Sequence, residues 1–206
     1  MTNPEISGES TEKLIVVPQD IDFNTLVEKL AGAHVPIEKY GQGAAKTIGH
    51  LLLEVNEGES VLTLDEKGKI YREVNVLWVD VVCSLANGDV YLLKEDRQEF
   101  KDGRVKVRNI DSSIGEKLKP SEDAGEGVVR ALQEELDVSE VSGLYEVGYQ
   151  ERTFIPDTFP GIESTYKMHK FVSIIPEAAF VPEGYIETQS DKTNYYTWEL
   201  IHKDKI

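Results

Sequence analysis

Residues 115–138, GEKLKPSEDAGEGVVRALQEELDV, constrain this chain more than any other stretch. A loop carrying Pro120 leads into an acidic helix start, and the helical pattern ends on paired glutamates. Asp123 is placed to cap the helix, with Glu126 three residues on, as a capping box requires. At about 100° per residue, Val128, Val129, Leu132 and Leu136 gather on one side, the expected buried face. Arg130 and Glu134 fall together on the other side, four residues apart and able to pair. Glu135 lies at the border of the two faces, and position 131 lies between the two glutamates. Several carboxylates on one patch make an oxygen-rich site suited to Mg²⁺ or Mn²⁺.

The flanking sequence sets that helix among strands. Residues 14–17 form a short β-like patch stopped by Pro18, and helical spacing follows over 21–30, with Asn24 as its expected cap. A second helix is expected over 44–54. Between them GQGAAKT teases as a phosphate loop, but Tyr40 and Ala45 stand where glycines are needed and no strand feeds it. It is read as a turn and a helix start. From Val61 the period becomes strand-like: 61–64, a turn at Lys67-Gly68, and a β-rich run to Leu85. Asn87-Gly88-Asp89 is a hairpin turn before a strand over 90–93, and Lys101-Asp102-Gly103 turns again. Further strands are expected over 143–154, 166–175 and 195–201. Strands, one central helix and more strands indicate an α+β chain with a mixed sheet.

Charge and cysteine content narrow the function. Lys+Arg 22 against Asp+Glu 38 gives a net charge of −16, which disfavours a nucleic-acid duplex as partner. A small phosphorylated ligand remains compatible, because a cation bridges carboxylates to phosphates. The lone Cys83 removes any internal disulfide or multi-cysteine metal site, and its apolar surroundings suit a core residue. The first twenty residues show no signal-peptide pattern, and no apolar run is long enough to span a bilayer, so a cytoplasmic protein without membrane contact is expected. His34, His50, His169 and His202 are scattered, with His169 expected to be structural. No nucleophile elbow and no zinc-protease motif is present.

Paired glutamates at a helix end are ordinary on their own; their register is what lifts them. Glu122, Arg130, Leu132, Glu134, Glu135 and Val138 match the Nudix box, G-x5-E-x7-R-E-U-x-E-E-x-G-U with U aliphatic, without insertion over 116–138. Glu116, Ala131 and Asp137 depart from it, standing for glycine, glutamate and glycine. The chain thus resembles the Nudix hydrolase superfamily over roughly 61–206. That resemblance implies a mixed β-sheet sandwiched by helices, with residues 1–60 as an N-terminal tail and helical extension. It implies a hydrolase cleaving a nucleoside diphosphate linked to another moiety, a small-molecule diphosphate substrate, and homodimerisation as a common state. Carried over by position, Glu134 and Glu135 are the metal ligands, Glu122 an outer ligand or support, and Arg130 the residue that orients the glutamates. Glu183 or Glu187 is the candidate for a further late-loop carboxylate, and an aromatic of the 154–163 or 183–195 loops for base stacking. Ala131 opens the alternative, a Nudix-fold binding or regulatory module that has lost turnover. A Nudix-fold isomerase of allylic diphosphates is disfavoured, because no cysteine–glutamate pair is evident.

Overall fold

The computed structural model describes residues 14–107 and 112–201; the expected loose tail over 1–12 and His202 lie outside them. The chain divides into two compact units, residues 1–73 with 153–165, and residues 74–152 with 166–206.

In the first unit, β1 (Ile15–Val16) pairs antiparallel with β2 (Val61–Leu64), and β2 with the opening residues of β3 (Ile70–Ser84). Helix α1 (Phe23–Gly32) begins one residue after Asp22, which accepts from the Thr25 N–H at 3.0 Å and the Thr25 hydroxyl at 2.6 Å. The cap is therefore Asp22, not Asn24, because the carboxylate two residues earlier takes the free donors of the first turn. Helix α2 (Ile48–Asn56) starts later than the spacing predicts, at a reciprocal cap between Thr47 and His50. The preceding GQGAAKT is a turn, with Gly41 and Gly43 at positive φ. Leu26, Leu30, Leu51, Val55 and Leu62 build the core of this unit, into which Phe159 also packs. Beside that ring lies a charge network in which Glu54 and Arg72 are buried and Lys46 is exposed. Glu54 takes Arg72 at 2.6 Å and Lys46 at 2.8 Å, and the Arg72 guanidinium sits 4.6 Å from the Phe159 centroid.

In the second unit, β3 continues and changes phase. Even-numbered residues are buried up to Val74, odd-numbered ones from Leu77 to Val81. β3 pairs antiparallel with β4 (Val90–Phe100) around the Asn87-Gly88 turn, and β4 with the two-residue β5 (Val105–Lys106). β6 (Ile114–Lys117) also pairs antiparallel with β3, where the sequence suggested a loop. Helix α3 (Ala124–Leu136) follows, capped by Asp123 through the N–H groups of Gly125 and Glu126. Then come β7 (Gly143–Phe154), β8 (Glu163–Ile175), β9 (Tyr185–Thr188) and β10 (Lys192–Ile201). β10 lies between β4 and β9, antiparallel to both; β9 occupies part of the stretch expected to be loop. The seven strand pairs β1–β2, β2–β3, β3–β4, β3–β6, β4–β5, β4–β10 and β9–β10 are antiparallel, and with three α-helices the described residues are α+β. No helix among the described residues is long and apolar enough to cross a membrane.

Two residues of α3 show why it lies where it does. A Cβ on Gly127 would stand 2.4 Å from Leu118 Cδ2 and 3.0 Å from Leu77 Cδ1, so any larger residue there must displace the Leu118 side chain. Asp137 ends the helix at φ 56°, the left-handed conformation that the glycine of the box would adopt. Gln133 Nε2 donates to its carboxylate at 2.6 Å. Asp137→Gly is expected to stabilise the fold by about 0.5 kcal/mol, relief of the backbone outweighing loss of that exposed bond. Urea unfolding measures it; a loss of stability would show that the side-chain bond dominates.

Candidate active site

Helix α3, β6 and the 118–122 loop place Arg130 at the centre of an ion network. Its Nε and Nη2 donate to Glu122 at 2.7 and 3.0 Å, its Nη1 to Glu134 at 2.8 Å, and its Nη2 also to the Lys117 carbonyl at 2.9 Å. Glu116 stands 3.7 Å from Nη1. Glu122 accepts in addition from the Lys119 N–H at 2.8 Å. The hydrogen bonds that Arg130 donates hold the Glu122 carboxyl below its ordinary pKa, and their acceptors Glu122 and Glu134 in turn push the guanidinium up. The pairing of Arg130 with Glu134 expected from the helix spacing is present. Glu122 is turned to Arg130, which suits a support.

Glu134 and Glu135 do not face the same partners. Glu134 is exposed, with one oxygen on Arg130 and the other 3.4 Å from Lys119 Nζ. Glu135 is partly buried and accepts a hydrogen bond from the Tyr196 hydroxyl. Burial raises its pKa to about 8, against the Tyr196 bond, which favours the charged form; Glu187, Glu116 and Glu95 add like charge. The Tyr196 phenol is itself pushed up, first by burial and then by Glu135. Tyr196→Phe removes a donor to the charged form, so Glu135 is expected to titrate above the wild-type value. Carboxyl ¹³C NMR across pH reads this, and an unchanged or lower pKa would contradict it.

The two late-loop candidates differ in their surroundings. Glu187, on β9, is among the charges acting on Glu135, and both its oxygens are held, by Asn194 Nδ2 at 2.5 Å and Gln189 Nε2 at 2.7 Å. Glu183 is exposed in the turn before β9. Three neighbours escaped the sequence argument. Glu95 looked like one of many charges in KEDRQE, yet it is buried opposite Tyr196 on β4, at a β-bulge in the β10 pairing. Tyr196 looked like sheet packing. Glu116 was a departure from the box, and that departure was the available signal.

Other expectations need correcting. Val129 is only partly buried, whereas Ala131 is fully buried in the core between sheet and helix. Position 131 is therefore packed against apolar side chains, with no open slot left by the missing carboxylate. Of the loop aromatics, Phe159 is core, Tyr185 packs edge-on against Trp198, Tyr195 stacks 3.9 Å from Arg97, and Phe154 is exposed. His169 pairs with Glu146 at 2.8 Å and packs on Tyr149, a structural role as expected. Cys83 is buried and its thiol pKa is raised by burial, which suits a core residue.

No protein-family model matches the chain, and no curated protein matches it. Solved structures do. The chain is similar to the C. elegans Ap4A hydrolase at 12% identity, covering 60% of this chain and 77% of that one, with a TM-score of 0.34. A MutT/Nudix family protein from Enterococcus faecalis matches at 16% identity over 63% of this chain and 45% of its own, TM-score 0.39. The T. brucei MERS1–RNA complex matches at 15% identity over 82% and 55%, TM-score 0.36. The chain spans less than two thirds of the last two proteins. Identities this low name what the chain is similar to and carry nothing about what it does.

Proposed function

We propose that the protein is a Nudix-type hydrolase that splits a nucleoside diphosphate linked to another moiety, with Mg²⁺ or Mn²⁺ at the α3 glutamates. The observation that carries this is Glu135, a partly buried carboxyl pushed up to about 8 by desolvation and by the like charge of Glu187, Glu116 and Glu95. Gathering like charge around a desolvated acid is costly, and such perturbed groups concentrate at functional sites. Carboxylate oxygens are the donors a hard divalent cation takes, and here Arg130 and Lys119 already hold Glu134. Glu134 and Glu135 are the proposed ligands, with Glu116 and Glu187 as the nearest further carboxylates. Among the described residues no three acidic or imidazole side chains are grouped closely enough to hold an ion as they stand, so binding would require them to draw together.

When bound, the cation would neutralise phosphate charge and acidify an attacking water. The chain's own residues do the rest. Arg130 fixes Glu134 and Glu122 through a forked set of charge-assisted bonds. Tyr196 fixes one oxygen of Glu135 and leaves the other for ligand. Lys119, exposed beside Glu134, offers a cation to an arriving phosphate.

A second function, a binding module without turnover, is favoured by one specific observation, the burial of Ala131 where the box has a glutamate. The two are separated by assaying a panel of nucleoside diphosphate derivatives with Mg²⁺ or Mn²⁺. Metal-dependent turnover that disappears in Glu135→Gln supports the hydrolase. Binding of one compound without turnover supports the module.

A further inference from the structure

We infer that β7 is the dimerisation edge of this protein, pairing antiparallel with the β7 of a second copy. The inference is independent of the proposed chemistry. An open strand edge presents a row of N–H and C=O groups that templates another strand, and monomeric proteins blunt such edges with short strands, lysines or prolines. The other strands with a single neighbour are short: β1 and β5 have two residues each, and β6 and β9 have four. β7 has twelve, and among the described strands it pairs only with β8. Its sequence, GLYEVGYQERTF, contains neither lysine nor proline.

Its side chains are those of an interface. Tyr145, Val147 and Tyr149 are 57%, 55% and 54% exposed, in consecutive alternate positions on one strand. A hollow of about 440 Å³ opens beside Tyr149, lined by Trp78, Gly148, Tyr149, Gln150, Met168 and Lys170. Tyrosine-rich, half-exposed strands of this kind are enriched at protein–protein contacts. Charge selects both the partner and its direction. Glu146 lies near one end of the exposed stretch and Arg152 near the other. Antiparallel pairing about Tyr149 brings Glu146 of each copy towards Arg152 of the other, twice over. Parallel pairing sets like charges side by side. Within one copy Glu146 already pairs with His169, and Glu151 accepts from the Tyr149 hydroxyl, so these acids are held in place before docking.

The test uses the full chain. Light scattering is expected to give twice the monomer mass at micromolar concentration. Val147→Glu sets an anion opposite Glu151 of the second copy, twice over, and is expected to weaken the dimer roughly tenfold or more. A residue at the two-fold centre of an antiparallel pair faces its own copy within disulfide reach. Tyr149→Cys is therefore expected to cross-link on mild oxidation, while the wild type does not, its Cys83 being buried. Lys101→Cys, on an exposed turn, is the control for random collision. A monomeric wild type overturns the inference. So does a dimer that Val147→Glu leaves intact and in which Tyr149→Cys cross-links no faster than Lys101→Cys.

Discussion

In the metal-free protein, Glu135→Gln is expected to raise stability above neutral pH while removing metal-dependent turnover. The folded Glu135 titrates near 8 against an ordinary value of 4.5. Between those values the folded state keeps a proton that the unfolded chain has released. Its contribution is therefore fully present below about pH 4.5, falls as pH rises, and is lost above about pH 8. Glutamine keeps the shape and an acceptor for Tyr196 but has no charge to bury. The melting-temperature difference between variant and wild type should be small near pH 4.5 and grow to an order of 5 °C by pH 8.5. Turnover should fall by at least the roughly 10–100-fold that loss of a supporting partner costs a metal site. Parallel melting curves across this range would show that Glu135 is not held protonated.

Arg130→Met carries the second large effect. It strips Glu122 of two bonds, Glu134 of one and the Lys117 carbonyl of one. The half-buried Glu122 carboxylate is left among Glu116 and Glu134 without its main counter-charge. The expected cost is about 3 kcal/mol, towards the lower end of what breaking a buried pair costs, because the group is not fully sealed from water. Arg130→Lys should recover less than half of this, since one ammonium cannot replace a fork that bonds three groups in fixed directions. Chemical denaturation of the three proteins measures both. A lysine variant as stable as wild type would reduce the network to simple charge balance.

What was legible in the sequence followed local rules. The hairpin turns at Gly68, Gly88 and Gly103 and the Asp123 cap depend on nearest neighbours, and so does the Arg130–Glu134 pair. The start of α2 was missed because Thr47 and His50 cap each other more strongly than Ala44 begins a helix. β6 and β9 were missed because four-residue strands draw their identity from the strands they join, β3 and β10. The site was only half visible for the same reason. Helix spacing placed Glu134 and Glu135, but the environment of Glu135 comes from β4, β6, β9 and β10, distant in sequence. Likewise, helix geometry put position 131 between the glutamates, whereas packing put Ala131 in the core.

The central claim, that Glu135 and its acidic neighbours form a divalent-cation site, is tested most directly by Mn²⁺ binding read by electron paramagnetic resonance. The wild type is expected to take up the ion, with binding abolished in Glu135→Gln and unaffected by Glu183→Gln. Failure of the wild type to bind, or equal binding by Glu135→Gln, would contradict it.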